Sequence, residues 1–431
     1  MKDAAHPLRE TLINELHARP FESLEPPLRA SYLAVFTGES VEAAQVQRAH
    51  VVRLCARYDV APPASDAKHF IQDLGPFRFR WEGHSEFCTY TFLRAEPFAE
   101  PFADPVINLV PRDWLDAIPG EMLIAAHVAL ETRDVPLREA PVLSRLFDHN
   151  LVMGCGIAGG SAMMWSDLRP DTDGFVRFLV RDVDLYDRQA GRSIQRLLEI
   201  HTYSTLALLA LPMAMESIPT IARCDAALSE ITGRMGRIRD LADERHLLAE
   251  LTTLAGKVER MEANTNYRFS ASRAYYELVL ARVTELHEQR LCGYQRLSTF
   301  LDRRLGPAMR TCEAARARQG ALADRIARSS NLLRTRVEVA LEAQNQDLLQ
   351  SMDRRAKLQL RLQATVEGLS VAAISYYVVG LIGYLAKALK ETGIGVNPDV
   401  VSGIAIPFVA GAVWWGVRHA RQIAIREDQA D

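Results

Sequence analysis

The chain has 431 residues, enough for two or three modules of the usual ~100–200 residues, so a single compact core is not expected. Lysine and arginine total 51 against 54 aspartates and glutamates, a formal charge of −3, which excludes bulk electrostatic attraction to nucleic acid or to an anionic membrane surface. The cysteines Cys55, Cys88, Cys155, Cys224, Cys292 and Cys312 are scattered, with no Cys-x-x-Cys pair and no partnered histidine spacing; they read as small buried side chains of a reducing compartment rather than a zinc site or a disulfide framework.

The first residues, MKDAAHPLRETLINELHARP, hold no basic segment followed by an apolar run, so no secretory signal is expected and the bulk of the chain is assigned to the cytoplasm. Residues 1–187 alternate strand and helix signals. ASYLAVF reads as a strand. Ser40 precedes VEAAQVQRAHVVRLCARY and can accept from a free N–H of the first turn, so it is the expected N-cap of a helix. FRFRWEGHSEFCTYTFL, with alternating aromatics, is expected to bend at Gly83 into a hairpin. MLIAAHVAL, LVMGCGIAGGSAMMW and FVRFLVRDVDL continue the strands, the last after the turn RPDTDG. The expected fold here is α+β or α/β, with more strands than helices.

Two polar clusters fall in this part: Glu15, His17 and Arg19 in NELHARPF, and Arg80, Glu82, His84 and Glu86 in RFRWEGHSEF. Histidine beside carboxylate is raw material for acid–base or metal chemistry. Strand alternation, however, puts Arg80, Glu82, His84 and Glu86 on one face, the pattern of a solvated sheet surface. GCGIAGG supplies Gly154, Gly156 and Gly159 in the Gly-x-Gly-x-x-Gly spacing that lets a helix N-terminus approach a pyrophosphate. The chain then turns within about ten residues and offers no such helix, so a glycine-rich strand or bulge is expected. No Gly-x-Ser-x-Gly, His-Glu-x-x-His or Walker pattern occurs. No catalytic residue, metal ligand or cofactor is nominated.

From 188 to 365 proline and glycine become rare and Leu, Ala, Arg, Glu and Gln dominate, the composition of long helices or a coiled-coil stalk. Breaks are expected at Pro212 and Pro219, at ANTN (263–266) and at Gly306–Pro307. TYSTLALLALPMAM is uncharged but only about 14 residues long, which suits a buried core helix better than a span.

Residues 366–418 hold two longer uncharged runs, about 368–386 and 400–417. At about 1.5 Å per residue the first reaches roughly 28 Å, close to the ~30 Å of a hydrocarbon core. Pro407 in the second is tolerated in a span, where neighbouring helices satisfy the freed carbonyl. Together they read as a two-helix transmembrane hairpin. Arg354, Arg355, Lys357 and Arg361 precede it, Arg418, Arg421 and Arg426 follow, and Lys387 and Lys390 in the link are offset by Glu391 and Asp399. The positive-inside bias therefore puts both flanks, and the tail 419–431, in the cytoplasm. Trp414 and Trp415 take the headgroup level.

Steps of three and four through Leu341, Asn345, Leu348, Met352, Arg355, Gln359, Leu362, Val366 and Leu369 trace a mostly apolar seam that continues into Ala373, Tyr376, Gly380 and Gly383. Small residues on that face let helices approach, either between subunits or against this chain's own second span with Gly403, Gly411 and Gly416.

The stretches NELHARPF, RWEGHSEFCTYTFLR, GRSIQRLLEIHTYSTLALLALP, LLRTRVEVALEAQNQDLLQSM and LQATVEGLSVAAISYYVVGLIGYLAKAL resemble a family of bacterial membrane-anchored proteins that carry a domain of unknown function. The resemblance implies bacterial origin and inner-membrane anchoring, and brings no activity. A looser architectural likeness is to the CorA type of divalent-cation channel, but its Gly-Met-Asn after the first span is replaced here by GYLAKALKETG. The expected function is that of a membrane-anchored scaffold, sensor or assembly partner, in contact with the bilayer, with further copies of itself and with other membrane or cytoplasmic proteins. A CorA-like channel or a nucleotide-using enzyme are the alternatives.

Overall fold

A computed structural model describes residues 6, 8–9, 12–13, 21–238, 240–391 and 397–427. Among these residues the strands are β1 (Leu28–Phe36), β2 (His69–Asp73), β3 (Arg78–Gly83), β4 (Phe87–Arg94), β5 (Glu121–Glu131), β6 (Met153–Ile157), β7 (Ala162–Ser166), β8 (Val176–Asp182) and, far along the chain, β9 (Gln289–Arg290). They form one sheet in the order β2-β3-β4-β1-β5-β8-β7-β6-β9. Neighbours run antiparallel except β5 and β8. That parallel pair needs a long crossover, and the chain between them holds β6 and β7. The expected hairpin is there, with β3 and β4 joined through His84, Ser85 and Glu86.

Among the described residues the α-helices that follow or interrupt the strands are α1 (Val41–Arg57), α2 (Arg112–Asp116), α3 (Ala140–Leu146), α4 (Asp187–Leu208), α5 (Ala210–Met235), α6 (Leu241–Glu285), α7 (Leu297–Glu391) and α8 (Pro398–Glu427). Ser40 caps α1, its side chain accepting from the Ala43 N–H at 3.0 Å, as a short hydroxyl at a helix entrance should.

Strand alternation explains the layers, because both faces of the sheet are covered. Leu33, Val35, Phe79, Trp81, Tyr90 and Phe92 face a core completed by Val51, Leu54 and Cys55 of α1 and by Trp114 of α2. The intervening Ala30, Tyr32 and Ala34, with Ala126, Val128, Phe178 and Val180, face the other way. There they meet Ile194, Leu197 and Leu198 of α4, Val279 of α6, and Leu297, Leu305 and Met309 of α7. Helices that the sequence assigned to a separate segment thus form the second wall of the sheet's core.

Of the expected helix breaks, Pro212 stands in the first turn of α5, just after the junction at Leu209, and the others are misplaced. α5 runs through Pro219 and α7 through Pro307, while α6 is continuous across 263–266. An interior proline costs a helix ~3 kcal/mol, but Ile221 and Cys224 near Pro219, and Leu305 and Met309 beside Pro307, are buried, and burial of apolar side chains of that size offsets the loss. In α6 Asn264 and Asn266 lie on the exposed side while Thr265 and Phe269 are buried. The chain breaks instead near Leu209, across Gly236, and after Glu285, where His287 at φ 47° and Gly293 at φ 85° turn the chain through β9. Cys292 in that turn is exposed, against expectation; the other five cysteines are buried.

Two compact units emerge: Met1–Gly236 with Ala249–Ser330, and Arg237–Leu248 with Asn331–Asp431. The sequence boundary at 187/188 falls inside the first. In the second, Arg336 pairs with buried Glu244 at 2.6 Å, and side chains of α7 from Asn345 to Val366 are exposed. Among the described residues three helical stretches, not two, are long and apolar enough to cross a membrane: Arg188–Met235, Leu297–Leu389 and Pro398–His419. Burial separates them. One third of the apolar window is buried in the first, against 6 % and 0 % in the others.

Candidate functional site

The alternation of β3 sends Phe79 and Trp81 to one core and Arg80 and Glu82 to the opposite face, as the sequence pattern requires. That face is not solvated. It lies under α4, and Arg80 and Glu82 are each only 8 % exposed. Periodicity tells which residues share a face, and only tertiary packing tells what covers it.

Burying these charges demands partners. Arg80 Nη2 donates to Glu82 Oε1 at 2.7 Å and to Gln195 Oε1 of α4 at 3.2 Å. Gln195 Nε2 donates to Glu199 Oε1 at 2.8 Å, and Arg282 of α6 pairs with Glu199. Arg282 also reaches Glu285 at 3.0 Å, and Arg196 holds Glu285 from the other side at 3.1 Å. A continuous polar relay therefore runs from β3 across α4 to α6. Beside it is a cavity of about 260 Å³, bounded by Tyr32, Thr89 and Thr91 on the sheet and by Thr202 and Tyr203 on α4. Tyr32 Oη and Thr202 Oγ1 are 3.0 Å apart, and burial pushes the Tyr32 phenol far above its usual range, so it stays protonated.

The segment around Glu22 covers the cavity. It lies so close to α4 that a Cβ on Gly191 would stand 1.9 Å from the Glu22 carbonyl oxygen. Glu22 Oε1 accepts from Arg78 at 2.6 Å, while its buried Oε2 has no hydrogen-bond partner among the described residues. A second cavity, of about 740 Å³, shares His84, Phe87, Tyr203 and Arg282 with the first and extends to Arg48, Lys68 and Asp66.

Of the residues singled out from sequence, Arg80, Glu82 and His84 line the first cavity. Glu86 does not. It is 1 % exposed and takes a bidentate grip from Arg268 of α6 at 2.7 and 3.1 Å, with Tyr267 Oη at 3.3 Å. Its role is to tie the β3–β4 turn to the helix layer. Glu15, His17 and Arg19 lie outside the described residues. The sequence reading missed Gln195, Glu199 and Arg282, because they sit at solvent-like positions of helices whose partner face could not be known.

The glycine run is part of the sheet. Gly154 and Gly156 are in β6, and Gly159 follows at φ 70°. A Cβ on Gly154 would come within 2.8 Å of Trp165, and one on Gly156 within 3.1 Å of Gln289 of β9. Close packing by neighbouring strands accounts for these glycines. Ala373, Tyr376 and Gly380 of the small-residue face are exposed, whereas a Cβ on Gly383 would meet Ser402 Oγ of α8 at 3.0 Å.

The arrangement has the makings of a binding cleft: paired charges of both signs, hydroxyls, and one unsatisfied carboxylate oxygen. No group of three or more His, Cys, Asp or Glu side chains among the described residues could hold a metal ion. No curated protein and no solved structure matches the chain. Residues 4–424 match the family model described as Protein of unknown function (DUF3422), and the chain belongs to that family.

Proposed function

We propose that this is a bacterial inner-membrane protein, anchored by two spans, about 368–386 in α7 and 400–417 in α8, with its sheet-bearing body in the cytoplasm. It works as a sensor or assembly partner that self-associates through the exposed part of α7. The observation that carries this reading is the near-complete exposure of the apolar windows in α7 and α8. Leu369, Leu381, Leu385, Val400, Ile404, Ile406 and Phe408 are all exposed. Burying each such side chain is worth ~1.5–3 kcal/mol, so together they hold about 10–20 kcal/mol, as much as the whole stability of an ordinary domain. Lipid is the solvent that recovers it. The approach of Gly383 to Ser402 supports a hairpin, since small residues let helices pack in a bilayer.

Self-association rests on the seam. Leu348, Met352, Leu362, Val366 and Leu369 are exposed and recur at the three-and-four spacing that a second helix would bury. The cleft next to Arg80 and Glu82 supports the sensor reading, its ligand being a small polar molecule with hydrogen-bond donors for Glu22. The test is fractionation of the full chain expressed in bacteria. It should stay with membranes through alkaline carbonate and high salt and leave only in detergent. Recovery as well-behaved material in the high-speed supernatant without detergent would overturn the anchoring.

A further inference from the structure

The polar cleft satisfies almost all of its own charges. A different cavity does not. It measures about 240 Å³ and lies between β8, α4 and the first turns of α7, walled by Phe178, Leu197, Ile200, Leu301 and Leu305. Besides Thr205, whose hydroxyl donates to the His201 carbonyl, three polar features break this apolar wall. Ser204 is only 8 % exposed and its Oγ has no hydrogen-bond partner among the described residues, a costly state for a buried hydroxyl. His201 also lines the cavity; burial holds it down at about 4, so at neutral pH it is an uncharged group able to donate one hydrogen bond. Arg304 stands at the rim, its guanidinium 4.1 Å over the Phe300 ring, with no carboxylate partner among the described residues. The backbone adds a further sign: Leu168, which lines the same space, is held at φ 50°, a conformation that non-glycine residues rarely keep without cause.

An occupant must match these features together. The apolar wall asks for a hydrocarbon or aromatic body. The exposed guanidinium at the rim offers an anion its fork of donors, a geometry that suits a carboxylate, and Ser204 asks for an acceptor or donor within. A cavity of ~150 Å³ lined by such side chains holds a benzene-sized guest, so this one takes about ten non-hydrogen atoms. We infer that the cavity between α4 and α7 binds a small amphipathic carboxylate, its apolar body against Leu197, Ile200 and Leu301 and its carboxylate at Arg304.

Octanoate is the probe, titrated calorimetrically into the full chain in lipid nanodiscs, with empty nanodiscs as the blank and octanol as the uncharged counterpart. Saturable one-site binding of octanoate, weaker by at least about tenfold for octanol and for Arg304→Gln, is the expected result, since a charge-assisted hydrogen bond carries at least that factor. Arg304 is exposed, so its replacement leaves the fold intact, which circular dichroism will check. Ser204→Leu, which fills the cavity, should abolish binding. Absence of saturable binding, equal binding of octanol, or unchanged affinity in Arg304→Gln would each overturn the proposal. None of these outcomes bears on the anchoring of the chain, which fractionation reads separately.

Discussion

His127 illustrates what a single residue gains from the sheet. β5 carries it to within 3.0 Å of Ser31 Oγ on β1, where Ser31 also accepts from the Ile107 N–H at 3.1 Å. Its ring lies flat on Phe175 at 4.0 Å. Burial lowers its pKa from 6.5 to about 4, and burial does the same to His50 and His201. A folded-state value below the unfolded one means that the unfolded chain binds more protons between about pH 4 and 6.5. The stability held by keeping these rings neutral is therefore full above about 6.5, falls as the pH drops, and is gone below about 4. Each histidine contributes a slope approaching ~1.4 kcal/mol per pH unit. Unfolding of the detergent-solubilised chain, followed by tryptophan fluorescence from pH 6.5 to 5, should show this fall, and His127→Gln should make it shallower. A flat profile in the parent protein would contradict the burial of these rings. Nothing in the sequence around His127 announces this, since MLIAAHVAL could as well have turned its histidine to water.

At the scale of elements, short-range chemistry was legible and long-range cover was not. Ser40 as a cap, the hairpin at Gly83 and the strand at GCGIAGG follow from hydroxyl geometry, aromatic alternation and the lack of a following helix. Proline and asparagine were read as breakers because in an isolated helix they are. In α5, α6 and α7 the buried neighbours of Pro219, Thr265 and Pro307 outweigh that local preference. The same limit applies to Arg80 and Glu82, whose shared face was correct and whose solvent was not. The glycines of β6 give a direct test. With Trp165 2.8 Å from the place of a Cβ on Gly154, and Trp165 itself buried, Gly154→Ala should destabilise the sheet by ~1–3 kcal/mol through overpacking, read as a lowered midpoint in chemical unfolding. A neutral effect would mean that Trp165 can withdraw freely.

For the whole molecule the point to test is the proposed self-association through the exposed seam of α7. The mass of the detergent-extracted complex, by light scattering with the detergent contribution subtracted, should exceed one 48.2 kDa chain by a whole multiple. Leu348→Arg with Leu362→Arg, which puts charge on the seam at two exposed positions, should return it towards the monomer. A monomeric parent protein would remove self-association from the proposed function and leave the anchoring untouched. The sequence by itself determined the mixed strand-and-helix character of the first part, the long helices after it, and the apolar segments, because each follows from composition and periodicity over neighbouring residues. Only the tertiary structure decided that α4, α6 and α7 wall the sheet, that Arg80 and Glu82 are buried in a relay with Gln195, Glu199 and Arg282, and that Ser204 and Arg304 share a cavity. Those facts join residues far apart in the chain, and no local pattern encodes which distant surface will cover a given face.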